Sequence, residues 1–443
     1  MKTKLILFVA ILSAIATFSQ KKWTLKECVD QALERNISIQ QNKLNFELAK
    51  KDVVIAKGNF LPTLNGSTNG RLSLGSSFNQ VTQNRTPSTT LFGGSVGLNG
   101  GITIFNGYRN TNTYKQAQLG VESSLLDLKK IENDISLLVV NSYLNILFAK
   151  ENLNVAEVQY NISKNQIKAA ETRFNSGVIA KGELLNTQST AATNLQSVIA
   201  QENALDIALL NLSQLLQIPL ENFDVASIDI ISPSANLLYN NSSLVYEKSL
   251  SKMPEIARAK LAIENAGLSI EIAKSAYLPT ISGSVFMNSG YNYTIKPSGA
   301  PISNFFDQLD GNLGYGLGFS VNVPIFNGFK TDASVSRSKI NKQIFETRLE
   351  SEKIQLKQTI QQAFLDVKSA LKTFEAAKIS LEAQKESFKN AQERYNYGSI
   401  TLFDFEQVRT RLVNAQGAMI RSKYDYVFKT KVLQFYSGEL VLE

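Results

Sequence analysis

The feature that most limits what this chain can fold into is that its pattern occurs twice. Leu61-Pro62-Thr63 recurs 217 residues later as Leu278-Pro279-Thr280. Ile104-Phe105-Asn106-Gly107 recurs 221 residues later as Ile325-Phe326-Asn327-Gly328. Arg173-Phe174-Asn175-Ser176-Gly177 recurs at the same 221 spacing as Arg394-Tyr395-Asn396-Tyr397-Gly398. Three landmarks in one order at a near-constant spacing mark an internal duplication. The step from 217 to 221 puts a loop four residues longer between the strands of the second copy.

Both copies follow one plan. A lead-in helix (about 24–57 and 244–275) precedes a strand pair (about 60–76 with 94–106, and 277–293 with 313–327). A very long helix follows (about 108–174 and 329–395), then a glycine-containing break and a shorter helix (about 181–217 and 401–436). The first repeat thus spans 20–218 and the second 244–443. Residues 219–243, with Pro219, Pro233 and several Asn and Ser, form the linker. Upstream, Lys2 and Lys4 precede an apolar run from Leu5 to Ala16 and then Thr17-Phe18-Ser19. This is the pattern of a secretory signal peptide over 1–19. No later run reaches the apolar length of a spanning helix, which excludes an α-helical membrane protein and leaves a β-barrel open.

The strands have two unlike faces. Leu64, Gly66, Thr68, Gly70, Leu72 and Leu74 alternate with Thr63, Asn65, Ser67, Asn69, Arg71 and Ser73. Val96, Leu98, Ile102 and Ile104 oppose Asn99, Gly101 and Thr103; Ile281, Val285, Met287, Tyr291 and Tyr293 oppose Ser282, Ser284, Asn288 and Asn292. In the fourth strand Tyr315, Leu317, Phe319, Val321, Val323 and Ile325 oppose Gly316, Gly318, Ser320 and Asn322. Period-two alternation with small polar residues on one side, and aromatics such as Phe60, Phe78, Phe92, Phe105, Tyr291, Tyr293 and Phe326 near the strand ends, suits a lipid-facing band around a wet lumen. Four strands cannot close a membrane barrel, and open edges are not tolerated in lipid. Further copies must complete it: three would bring twelve strands and two would bring eight.

A helix over 108–174 would be about 100 Å long. The return helix is about half that, and the next lead-in helix makes up the difference, which places the linker at mid-height. In the second long helix Ile360, Phe364, Val367, Leu371, Phe374, Leu381 and Phe388 keep heptad spacing, with Lys378 and Lys385 in the gaps, for side-by-side packing. Charges of both signs are interspersed along these helices, so the formal +8 reads as solvated faces and predicts no nucleic-acid partner. The chain has no histidine, a single cysteine (Cys28) and no phosphate-binding glycine loop. That predicts no catalytic site, no metal and no cofactor, and it forbids a disulfide within the chain.

Carried by particular residues, the chain resembles the TolC-type outer-membrane efflux protein family. These are Trp23-Thr24-Leu25-Lys26-Glu27-Cys28-Val29 with Ala32-Leu33 and Asn36, the two Leu-Pro pairs, Val323-Pro324-Ile325-Phe326-Asn327-Gly328, and the two Arg-aromatic-Asn-x-Gly breaks. The resemblance implies a homotrimer with a twelve-stranded outer-membrane β-barrel, four strands per chain, continued by a long α-helical coiled-coil periplasmic barrel. It implies a periplasmic adaptor protein and, through it, an inner-membrane pump of the RND or ABC type. The helical-hairpin tips (Arg173, Phe174 and Gly177; Arg394, Tyr395 and Gly398) correspond to the family's adaptor-contact surface. Asp404 matches the first aspartate of the family's periplasmic pore ring, while Gln407 occupies the position of the second, with Glu406 beside it. Tyr395 and Glu183 match the family's gate latch, and the latch arginine falls at Ile400. The expected function is the outer-membrane exit duct of a tripartite efflux system. A type I protein-secretion duct, a free-standing porin and a periplasmic coiled-coil scaffold are the alternatives.

Overall fold

A computed structural model describes residues 22–81, 83–227, 239, 241–294 and 303–439. The signal peptide expected over 1–19, and residues 228–238 of the linker, lie outside them. The described residues form two compact units. One takes the described residues within 1–44, 126–258 and 350–443; the other takes those within 45–125 and 259–349.

The duplication is visible element by element. In chain order the first copy holds β1 (Lys22–Trp23), α1 (Leu25–Arg35), α2 (Ile37–Gly58), β2 (Thr63–Asn79), β3 (Asn84–Asn106), α3 (Arg109–Asn175) and α4 (Lys181–Leu216). After β4 (Asp224–Val225), the second holds α5 (Ser242–Lys252), α6 (Pro254–Lys274), β5 (Thr280–Thr294), α7 (Phe305–Gly311), β6 (Gly314–Asn322), α8 (Lys330–Asn396) and α9 (Leu402–Ser437). Helices α3 and α8 have 67 residues each, and their return helices 36 each.

Four expectations are corrected. Each lead-in helix is two helices, broken at Asn36 and at Met253. At Met253 the cause is Pro254, which disfavours helical backbone in the residue before it and is itself suited to a helix start. At Asn36 the cause is a side chain: Oδ1 accepts from the Ser38 N–H at 3.0 Å, and Nδ2 donates to the Leu215 carbonyl at 3.2 Å. The first strand pair runs further than expected, to Asn79 and Asn84, and the loop expected between the strands of the second pair holds a helix, α7. The extra residues of the second copy go into that helix. Finally, β6 stops at Asn322 rather than near 327. Pro324 has no N–H to continue the ladder.

In the second unit the four long strands form one antiparallel sheet of order β2-β3-β5-β6. Pairing Leu98 with Met287 and Val285 with Leu317 collects the apolar residues of all four strands on one face. Asn65, Asn99, Ser67 and Asn288 fall on the other, with Leu91 and Phe286 as exceptions, Phe286 lying over Gly316. The apolar face is bare: Leu317 is 88% exposed, Tyr315 83% and Phe319 69%. Neither β2 nor β6 has a second neighbour in the sheet. Beyond β6 the free edge of β5 is capped by α7. There Gln308 Oε1 accepts from the Asn292 N–H at 2.8 Å, and Asn312 Nδ2 donates to the Gly290 carbonyl at 2.6 Å.

Each strand-to-helix exit is a left-handed pair, Gly107-Tyr108 and Gly328-Phe329. The aromatic of each pair meets the phenylalanine three residues back, with ring centroids 5.3 Å apart for Phe105–Tyr108 and 5.6 Å for Phe326–Phe329.

The core of the first unit lies among α1, α3 and α4, where Cys28, Val139, Tyr143, Ile146, Leu212 and Leu216 have no exposed surface. Cys28 is thus buried, as its small apolar character suggests. A second cluster uses Ile360, Val367 and Leu371 of the heptad series, packed with Val245, Tyr426 and Leu433, and Phe374 stacks on Tyr426. The two-residue strands β1 and β4 pair in parallel. No described helix is long and apolar enough to cross a membrane.

Candidate functional site

The tips of the two helical hairpins belong to the first unit and are closed by the same device. Gly177 and Gly398 both take φ of 73°. At the first tip the Gly177 N–H donates to Phe174 O (2.9 Å) and the Val178 N–H to Arg173 O (2.8 Å). At the second the Gly398 N–H donates to Tyr395 O (2.9 Å) and the Ser399 N–H to Arg394 O (2.7 Å). This pair of bonds satisfies the last helical carbonyls and requires a left-handed residue, which glycine supplies without a Cβ penalty.

Beyond the second tip, Thr401 and Asp404 form a capping box. Thr401 Oγ1 accepts from the Asp404 N–H at 3.1 Å and donates to Asp404 Oδ2 at 2.7 Å. Asp404 is exposed, and its charge faces the positive end of the α9 dipole. Gln407 is exposed on the same turn. Glu406 points elsewhere. Its carboxylate lies 3.0 Å from the Arg409 guanidinium, and their side chains are 23% and 5% exposed. Burial pushes the Glu406 carboxyl above its ordinary range, and Arg409 only partly offsets this.

Arg409 also reaches the other hairpin, where its Nη1 donates to Gln166 Oε1 of α3 at 2.7 Å. Next to it Phe405, almost fully buried, stacks on Tyr395 at 5.0 Å and meets Phe388 at 5.5 Å. Tyr395 faces the first hairpin. The Arg173 guanidinium sits 5.9 Å from its ring centroid. Burial raises the phenol's pKa, and the negative charge of Glu183 raises it further. The structure therefore places Arg173 over Tyr395 and leaves the Glu183 charge near enough to act on the phenol.

Sequence reasoning missed Arg409 and Gln166. The local signal was an acid and a base three residues apart on one helix face, Glu406 and Arg409. Nothing local pointed to Gln166, which lies 243 residues away. Arg394 is exposed, as are Val178 (64%), Phe403 (70%) and Tyr397 (86%), so the tips present apolar groups beside cations. Among the described residues no cluster of metal-ligating side chains occurs.

With this geometry in place, comparison with known proteins is direct. A model of the outer membrane efflux protein family matches the chain twice, over residues 28–216 and 245–439. The chain is 23% identical to the outer membrane efflux protein BepC of Brucella suis over 428 residues, covering 95% of this chain and 86% of that one. It is 23% identical to the outer membrane protein TolC of Escherichia coli over 391 residues, covering 82% and 77%. The fold superposes on the CmeC outer membrane channel of Campylobacter jejuni with a TM-score of 0.76 at 19% identity, covering 95% of this chain and 86% of that one.

Proposed function

The chain belongs to the outer membrane efflux protein family, and from that premise we propose that it is the outer-membrane exit channel of a tripartite efflux system. One observation carries the reading. The register gathers the apolar residues of four strands onto a single bare face, with small polar residues behind it and open edges at β2 and β6. Water would not leave such a face uncovered, and lipid would not tolerate such edges unpaired. Three copies joined edge to edge, β6 of one to β2 of the next, meet both demands in a twelve-stranded barrel. The long helices would then continue the conduit into the periplasm as a coiled-coil barrel.

The hairpin tips would carry the partner surface and the gate. Arg173, Phe174, Gly177, Arg394, Tyr395 and Gly398, with the exposed apolar groups beside them, suit a periplasmic adaptor. Through that adaptor they would serve an inner-membrane pump. Asp404 would contribute one carboxylate per chain to a ring at the entrance. Glu406, neutralised by Arg409, would contribute little. Tyr395 and Glu183 would hold the entrance shut.

The test is reconstitution of the mature chain. Purified protein should migrate as a heat-dissociable trimer and conduct ions in planar bilayers. A monomer without conductance would overturn the proposal.

A further inference from the structure

We propose that Arg71 is the charge-selective point of the exit barrel, a ring of guanidinium groups that favours anionic solutes as they leave. The inference rests on the channel reading above and concerns a residue to which that reading gives no role.

The sheet is unusual in its charge. Strands β2, β3, β5 and β6 contain no carboxylate, and Arg71 and Arg85 are their only charged side chains among the described residues. Arg85 lies beside the β2–β3 turn, where its Nη2 donates to Ser76 Oγ at 3.2 Å. Arg71 lies mid-strand. The register sets it opposite Gly93, and Gly93 opposite Asn292, so one row crosses three strands on the polar face. Asn69 and Ser73 flank it along β2.

The wall around Arg71 is neutral, with Leu91 standing on the same face. A Cβ on Gly93 would overlap the side-chain oxygen of Asn292 and come within 3.2 Å of the Tyr291 carbonyl. The Asn292 amide is therefore laid down over the glycine. Asn69 is turned towards its neighbour, its Oδ1 accepting from the Ser95 N–H at 2.9 Å. Arg71 is exposed and has no ion-pair partner among the described residues. The acids nearest in sequence to β5 and β6, Asp307 and Asp310, belong to α7, which packs along β5, two strands away from β2 of its own chain.

A lone charge on a polar pore wall backed by lipid acts over a long range, because the low-dielectric wall focuses its field into the lumen. Three such groups at one level would attract carboxylates, sulfonates, phosphates and small anions. The sign is opposite to that of Asp404 at the entrance. An amphiphilic anion would thus meet repulsion at the tips and attraction at the exit, and a cation the reverse.

The full mature chain would be studied in planar bilayers under a potassium chloride gradient at low ionic strength, where screening is weakest. Arg71→Gln should raise the K⁺/Cl⁻ permeability ratio about two-fold, and Arg71→Glu should raise it further. Arg71→Cys should react with water-soluble thiosulfonates, since the native Cys28 is fully buried. A cationic reagent should restore wild-type selectivity, and an anionic one should mimic Arg71→Glu. Conducting channels with unchanged reversal potentials, or an Arg71→Cys channel that neither reagent modifies, would overturn the proposal. Loss of wild-type conductance would instead overturn the channel reading on which it rests.

Discussion

Gly438 and Gln217 occupy the same place in the two copies and solve one problem with different residues. Both are left-handed, with φ of 70° and 56°, at the ends of α9 and α4. Glycine adopts this conformation freely, whereas an L-residue is penalised by its Cβ. Gln217→Gly should therefore raise the thermal midpoint of the helical circular-dichroism signal, by about 1 kcal/mol in stability. Gly177→Ala should cost about as much, and only through the backbone, because nothing lies within 4 Å of the added carbon. Gly438→Ala should cost more, since its Cβ would overlap the stem of Lys252, whose Nζ donates to Ser437 O at 3.1 Å. The carboxylates at the second tip separate in the same way. Asp404→Asn keeps a cap for α9 but removes a charge, so the trimer should remain intact while cation selectivity weakens. An unaltered reversal potential would count against the ring. Glu406 is held above its ordinary pKa, chiefly by burial, despite Arg409 and with Tyr395 nearby. The folded tip therefore binds this proton more readily than an unfolded chain. The stability it contributes is fully present below the ordinary carboxylate value and is lost as pH rises through the raised one. Amide exchange at 395–409 should slow on mild acidification relative to Glu406→Gln, which has no such step.

At the scale of elements, a few contacts join parts of the chain that no local pattern connects. Tyr143 of α3 is fully buried, and its hydroxyl lies 2.7 Å from the Ala226 carbonyl and 3.1 Å from that of Trp23. It thereby ties β1 and β4 to the long helix. Lys150, about two helical turns further along the same face, bridges to Asp224 and donates to Val225 O at 2.9 Å. Tyr143→Phe removes the donor of the part-buried Ala226 carbonyl, while Trp23 O keeps the Ala226 N–H, and should cost about 1–2 kcal/mol. The check is a lower thermal midpoint with unchanged helix content. The elements differ in legibility for physical reasons. Long helices and their glycine ends announce themselves through periodicity and local backbone preference, and their bounds agree with expectation to within a residue or two. The break at Met253 was legible in Pro254. The break at Asn36 was not, because its cause is a carbonyl 179 residues away. Strands β1 and β4, two residues each, are too short to show a period. Helix α7 was hidden because the copies diverge there: one extends its strands, and the other caps a bare edge with Gln308 and Asn312.

For the molecule as a whole, alternation within single strands was enough to foresee a two-faced sheet, because a period of two leaves each residue only one side to occupy. The two strand pairs were foreseeable; which strands would join one pair to the other was not. The β3–β5 pairing that joins the two copies depends on residues nearly two hundred positions apart. The proposed gate is a similar case. The tips were marked by glycine and arginine, but their joining through Gln166, Arg409, Phe405 and Tyr395 belongs to the tertiary structure. That joining is polar and aromatic, unlike the aliphatic core around Tyr143. A seam of this kind can separate at less cost in exposed apolar surface, which a gate requires. Ile400 stands where the family's latch arginine would be, and Arg409 supplies a buried cation from a position one helical stretch further on. Two variants distinguish the contributions. Tyr395→Phe with Glu183→Ala should increase single-channel conductance in planar bilayers while leaving the trimer intact. Arg409→Met should strand the Glu406 carboxylate, free Gln166 and open the channel further in that background. If the double variant conducts like wild type, Tyr395 and Glu183 are not the latch. If Arg409→Met adds nothing, the inter-hairpin bond only stiffens a gate held closed elsewhere.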